Sequence, residues 1–245
     1  MTALSVNLNK VALLRNLRDL GLPDPLRFGR IAIAAGAAGL TVHPRPDRRH
    51  ATPEDVRALR RLTRELGVEL NVEGYPAAEL LALVEETRPD QCTLVPDAPD
   101  QRTSDHGWDC VAHADLLRPV VERLRRHGIR VSLFVDPDPH QAIAARAVGA
   151  DRVELYTEPY ARAFVDHEHD QVLPRFRDTA HAAQQAGLGV NAGHDLNLGN
   201  LGAFLDAVPA VLEVSIGHAL TAEALELGMA ETVRRYVAIC AARRG

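Results

Sequence analysis

The sequence predicts an α/β fold, a single-domain (β/α)8 TIM barrel with an all-parallel eight-stranded wall and extra short helices. Three observations predict it. Eight short apolar runs recur along the 245 residues, most of them bounded by Gly, Pro or Asp. Amphipathic stretches lie between them, and strict alternation of strand and helix demands parallel pairing with right-handed crossovers. No GxGxxG follows the first run, so an open dinucleotide-binding sheet loses its main support, while eight such units in this length suit a barrel.

The expected strands are LSVNLN (4–9), AGLTVHP (38–44), VELNVEG (68–74), QCTLVP (91–96), IRVSLFVD (129–136), RVELYTE (152–158), LGVNAGH (188–194) and LEVSIGH (212–218). Val, Leu and Ile dominate them, as buried parallel strands require. TPEDVRALRRLTRELG (52–67) reads as the helix after the second strand, with Thr52 as N-cap, Pro53 at the first helical position, Asp55 at the third and Gly67 at the stop. Its Val56, Leu59, Leu62 and Leu66 form one apolar stripe against the sheet. PAAELLALVEETRP (76–89), HADLLRPVVERLRRHG (113–128) and DPHQAIAARAVGA (138–150) behave similarly, with Pro119 expected to kink or delay the second of these. Helical segments near 160–186 and 219–243 complete the alternation. No composition shift or Ser/Gly linker divides the chain, so residues 1–245 read as one catalytic domain.

With 46% hydrophobic and 25% charged residues, the chain has the balance of a soluble globular protein rather than a disordered one. A net charge of −5 and a pI near 6.1 argue against nucleic-acid and anionic-membrane partners. Aromatics, at 4%, are too sparse for a base-stacking platform, and Trp108, Tyr156 and Tyr160 read as packing residues. Cys92, Cys110 and Cys240 are odd in number and lack CxxC spacing, which suits reduced thiols in the cytoplasm. MTALSVNLNKVALLRN lacks the organisation of a signal peptide, and no run approaches the roughly 18 apolar residues of a membrane span.

Barrel chemistry sits where strands run out into the following loops. Asn7 and Asn9 stand at the end of the first strand, His43 and Arg45 past the second, and Glu73 at the mouth of the third. Asp136 follows the fifth, Glu154 lies within the sixth, His194 follows the seventh and Gly217-His218 the eighth. Each alone suits a cap or a turn; their recurrence at one end of most units points to a shared site. A histidine such as His43 suits proton transfer near neutral pH. Glu73 follows the apolar LNV, where burial raises a carboxyl toward neutrality, unless Arg45 or Lys10 pairs with it.

NAGHD and SIGHA put glycine just before helix starts, where backbone N–H groups receive an anion. The run HPRPDRRH (43–50) supplies Arg45, Arg48 and Arg49, which with Arg18 offer charge-assisted bonds to a second anion, although Arg48 or Arg49 also has Asp47 to pair with. His43, Glu73, His194 and His218 are a conceivable metal set. However, NLN stands where metal-dependent hydrolase barrels carry HxH, and HEH (167–169) lies in a polar DHEHD run. No metal is assigned.

The stretches VNLNKVALLRN (6–16), PDPLRFGRIAIAAGAAGLTVHPRPDRRH (23–50), LNVEG (70–74), TLVPD (93–97), VSLFVD (131–136), VELYTEPYA (153–161), VNAGHDL (190–196) and IGHAL (216–220) together resemble the pyridoxine 5′-phosphate synthase family. These are the ring-closing enzymes of the deoxyxylulose-phosphate-dependent vitamin B6 route, and the match runs in order over nearly the whole chain. The resemblance implies a (β/α)8 barrel that condenses 3-amino-2-oxopropyl phosphate with 1-deoxy-D-xylulose 5-phosphate, releasing inorganic phosphate and water. It implies that His43 and Glu73 are catalytic bases, His194 the proton donor and Glu154 a carboxylate that stabilises a transition state. Asn7, Asn9, Lys10, Arg18, Arg45, His50, Thr103, Asp195, Gly217 and His218 fall on substrate-contacting positions. It further implies no cofactor and a symmetric homo-oligomer, usually an octamer.

This chain departs from that pattern in three places. Many members read Asp-His where it has Asn9-Lys10, Gly where it has Asp195, and TGxYA where it has TEPYA. The reaction needs proton transfers and two anion sites, which the strand ends and the Arg-rich loop provide. The segment 96–109 is a candidate lid over the dehydration steps. Two other readings stay open: an isomerase or aldolase barrel acting on one phosphosugar, with only Lys10 available for a Schiff base, and a catalytically silent phosphate-binding barrel.

Overall fold

The computed structural model describes residues 1–97 and 104–242. Among these, eight strands close in chain order into an all-parallel barrel: β1 (Ala3–Asn7), β2 (Gly39–Val42), β3 (Glu69–Gly74), β4 (Gln91–Leu94), β5 (Arg130–Val135), β6 (Arg152–Tyr156), β7 (Gly189–Gly193) and β8 (Val211–Ile216). β8 pairs back onto β1, with Val214 opposite Leu4, so the sheet has no free edge. The helices are α1 (Asn9–Asn16), α2 (Pro25–Ala34), α3 (Pro53–Leu66), α4 (Ala78–Thr87), α5 (Ala114–Arg126), α6 (Pro139–Ala147), α7 (Glu158–Val165), α8 (His169–Gln185), α9 (Leu201–Ala207), α10 (His218–Leu227) and α11 (Met229–Ala242). The predicted (β/α)8 barrel with extra short helices is the observed architecture.

Local chemistry accounts for the best-defined helix. Thr52 Oγ1 accepts from Asp55 N–H while Asp55 Oδ2 accepts from Thr52 N–H, a reciprocal capping box, and Gly67 ends α3 at a φ of +67°. Helices α1, α2 and α9 lie outside the helical segments read from the sequence. In α2 the signals are Asp24, which accepts from Leu26 N–H, and Pro25 at the first position. The 160–186 segment divides into α7 and α8, and 219–243 into α10 and α11. α5 continues through Pro119 rather than starting after it.

The strands divide their residues strictly between two sides. Leu4, Val6, Leu40, Val42, Leu70, Val72, Val131, Leu133, Val153 and Leu155 are buried in the main apolar core. Most intervening residues are polar and touch across the barrel interior, while Phe134 and Tyr156 form a small apolar cluster apart from the main core. Thr93 on β4 donates to Asn71 on β3 at 3.1 Å and approaches Glu154 on β6 at 3.4 Å. Gln91 on β4 reaches Glu213 on β8 at 3.4 Å, a contact between strands that are not neighbours and therefore one through the barrel's centre. Period-two alternation puts one apolar face under the helices and one polar face inside. At the N-terminal end Arg130 pairs with Glu69, and Arg152 donates to Asn191 at 2.9 Å.

Most strands stop one or two residues before their apolar runs do, because pairing ends where the chain turns away. Asn9 thus becomes the first residue of α1, and His43 and His194 stand just past β2 and β7. No helix among the described residues is long and apolar enough to cross a membrane.

Candidate active site

A cavity of about 400 Å³ opens at the C-terminal ends of the strands. His43, Glu73, Glu154 and His194 all line it, each delivered by a different strand. Asn7, Asn9, Lys10, Arg45, His50, Asp195, Gly217 and His218 complete the set expected from the sequence. Arg18 is the exception, exposed on the turn after α1 and absent from the lining. Thr103, and residues 98–103 of the expected lid, lie outside the described residues.

The first loop is tied down by its asparagines. Asn9 N–H donates to Asn7 Oδ1 at 3.0 Å, and Asn9 Oδ1 accepts from the backbone N–H of His43 at 2.8 Å. The Asn9 side chain therefore fixes the main chain that carries His43. Asn7 Nδ2 lies 3.4 Å from Glu73 Oε2, and Ser215 Oγ lies 3.5 Å from Glu73 Oε1.

Burial sets the protonation of the centre. Glu73 is pushed up to about 7, first by loss of water and then by the negative charge of Asp97. Glu154 is raised well above the usual carboxylate range by burial and by Glu73 and Glu213, which favours its protonated form. His43 lies well below the ordinary imidazole value because it is buried beside Arg45, His50 and Arg49. His50 falls to about 4 for the same reason, with Lys10 as its leading charge. The site thus holds two neutral imidazoles, a carboxyl poised near neutrality and a second carboxyl biased toward its protonated form, a set suited to general acid–base chemistry.

Cationic groups occupy the rim. Arg45 is buried and pairs with buried Asp97, whose Oδ2 also accepts from Ser104 Oγ at 2.9 Å. Arg49 pairs with Asp47 at 2.8 Å, as the sequence allowed. Across the mouth, α10 begins at His218 with no side-chain cap on its first turn, and Gly217 lines the cavity.

Gly193 owes its place to a close approach. A Cβ there would stand 2.4 Å from Glu154 Oε1, so only glycine leaves room for that carboxyl. Asp136 has a scaffold role instead: its Oδ1 accepts from Gly107 N–H at 3.1 Å, while Trp108 N–H donates to Phe134 O at 2.8 Å and Trp108 Nε1 to Leu94 O at 3.0 Å. Trp108 and Tyr160 are buried packing residues, as read. Tyr156 packs against Phe134 and sets its ring edge-on to His194, with centroids 5.2 Å apart. His167 and Glu168 are exposed, and His169 packs on Phe164.

Ser104, Ser215, Val95 and Phe134 also line the cavity, and Asp97 backs Arg45, although none was read as a site residue. Ser215 and Phe134 carried a signal in their alternation with outward apolar neighbours in LEVSIGH and VSLFVD. Asp97 ends the family-like TLVPD stretch, but its pairing with Arg45 depends on a partner 52 residues away.

The family model of the "Pyridoxal phosphate biosynthesis protein PdxJ" matches residues 4–242. The pyridoxine 5′-phosphate synthase of Chelativorans sp. (strain BNC1) is 57% identical over 244 residues, with 98% of each chain covered. That of Agrobacterium fabrum (strain C58 / ATCC 33970) is 53% identical over 245 residues, again with 98% of each covered. Among solved structures, a tryptophan synthase chain from M. tuberculosis superposes with a TM-score of 0.67 at 12% identity, covering 100% of this chain and 93% of that one. A phosphoribosylanthranilate isomerase from Thermotoga maritima gives 0.58 at 15% identity, covering 99% and 100%. At such identities the structures share the fold alone.

Proposed function

The chain belongs to the pyridoxal phosphate biosynthesis protein PdxJ family, enzymes of vitamin B6 synthesis, and we propose that it condenses 3-amino-2-oxopropyl phosphate with 1-deoxy-D-xylulose 5-phosphate. The products are pyridoxine 5′-phosphate, inorganic phosphate and water. The observation that carries this reading is the meeting of His43, Glu73, Glu154 and His194 in one cavity rimmed by Lys10, Arg45, His50 and His218.

The amine of one substrate attacks the ketone of the other, the hydroxyl formed leaves as water, phosphate is expelled, and a carbon–carbon bond closes the ring. Each step moves a proton. Neutral His43 and ionised Glu73 take protons, His194 returns them to leaving oxygens, and Glu154, which burial biases toward its protonated form, donates a hydrogen bond where negative charge develops. Arg45 and His50 serve one phosphate; Lys10, Gly217 and the start of α10 serve the other. The barrel walls exclude bulk water from the dehydration steps.

Leu17, Leu20 and Leu22 are exposed beside Arg18, which supports a homo-oligomer, an octamer by family resemblance, in which this surface is covered. The same reading puts the enzyme in the cytoplasm, where thiols such as its three buried cysteines stay reduced. The test is to incubate both substrates with purified protein, with chelator and with added metal, and to measure pyridoxine 5′-phosphate and released phosphate. Product in stoichiometric step with phosphate is expected; no product under any condition overturns the reading. Sizing in solution checks the octamer.

A further inference from the structure

His194 and Asp195 both stand at positive φ, +86° and +60°, although neither is glycine. Left-handed backbone costs a residue with a Cβ on the order of 1 kcal/mol, so two in succession persist only where the surroundings enforce them. Those surroundings are specific. The Thr157 hydroxyl is placed to donate to Gly193 O at 2.8 Å and also contacts His194 O, and Asn200 Nδ2 donates to Asp195 O at 3.2 Å.

This backbone turns the two side chains of adjacent residues toward each other. His194 Nδ1 and Asp195 Oδ2 are 2.9 Å apart, and the Tyr156 ring stands edge-on to the imidazole. We propose that Asp195 is a positioning residue for His194, holding the imidazole by Nδ1–H and presenting Nε2 to the reacting molecule. This assigns Asp195 a role through His194 instead of a substrate contact, and it rests on the proposed synthase reaction for its kinetic consequences.

The ionisation of Asp195 sets the direction of the hydrogen bond. Asp195 is held below its usual carboxylate range, first by His194 and then by the nearby His218 and Lys10, so it is an ionised acceptor. An ionised acceptor selects the tautomer with the proton on Nδ1.

The test pairs two variants that tolerate this φ, Asp195→Gly and Asp195→Asn. In Asp195→Gly we expect kcat to fall roughly tenfold or more with KM for both substrates within about twofold, as loss of an oriented group that takes up a proton at Nε2 and returns it requires. Asp195→Asn keeps an acceptor and should recover most of that loss. Independently of turnover, 15N solid-state NMR of histidine-labelled protein, with His194 assigned through His194→Asn, should show the Nδ1–H tautomer in the parent and its loss in Asp195→Gly. An unchanged tautomer, or a raised KM with unchanged kcat, overturns the proposal. Because the tautomer needs no substrate, a failure of the synthase reading and a failure of this inference give different results.

Discussion

Arg45 and Asp97 form a buried ion pair, with side chains 4% and 2% exposed, that joins the loop after β2 to the segment after β4. Removing one charge of such a pair takes away a compensating charge in a dry environment, which costs about 3 kcal/mol. Asp97→Asn should therefore lower the urea midpoint of unfolding. Asp97 also raises Glu73, so removing its charge lets Glu73 ionise more readily. The limb of the kcat/KM–pH profile that reports Glu73 should move to lower pH in Asp97→Asn, and a limb that stays put would separate the two residues.

Glu73 should govern activity near neutrality. With its carboxyl at about 7, a role as base predicts kcat/KM rising with pH through that value. Glu73→Gln should reduce kcat by at least about 100-fold while leaving the circular dichroism spectrum unchanged.

The same group makes stability depend on pH in a defined direction. Its carboxyl is raised from 4.5 unfolded to about 7 folded, so between those values the native state binds more protons than the unfolded one. Stability accordingly falls as pH rises across that window, by up to about 3 kcal/mol. Glu73→Gln should flatten this dependence and leave the share that Glu154 contributes, which urea midpoints at pH 5 and pH 8 would measure.

Gly193→Ala should disable the site without dissolving the barrel. The new methyl would occupy space within 2.4 Å of Glu154 Oε1, and the buried carboxyl must swing away or β7 must shift. A cost of about 1–3 kcal/mol in stability is expected from such overpacking. Activity should fall further than stability explains, which kinetics at a temperature well below unfolding would reveal.

Asn9 should tolerate Asp but not Ala. Its Oδ1 accepts the His43 N–H at 2.8 Å, and an Asp oxygen serves equally, whereas Ala leaves a buried donor unsatisfied at a cost of about 1–3 kcal/mol. Near-parental turnover in Asn9→Asp and a destabilised, slow Asn9→Ala are the expected outcomes in thermal melts and assays.

Much of this was legible along the chain because it is local. Thr52, Asp55 and Gly67 announce α3 through bonds made within one turn. The recurrence of polar residues at the same end of successive units identified His43, Glu73, Glu154 and His194 before any distance was known. Alternation in LNVEG and LEVSIG already encodes an apolar outer face and a polar inner one, since side chains on a strand change side at every residue.

The sequence by itself determined the barrel, the end of it that does chemistry and the residue types that meet there, because helix caps, strand periods and strand–helix order are short-range properties. Only the tertiary structure decided how those residues behave. Closure of β8 onto β1 brings Ser215 to Glu73, which stand 142 positions apart in the chain. It also buries Glu73 and Glu154 together, and their proton affinities follow from that shared dry interior rather than from either residue's neighbours in sequence. The Arg45–Asp97 pair and the placement of Arg18 outside the cavity are likewise facts of distance in space. Electrostatic and steric terms act through space, and the order of residues along a chain does not state them until the fold is closed.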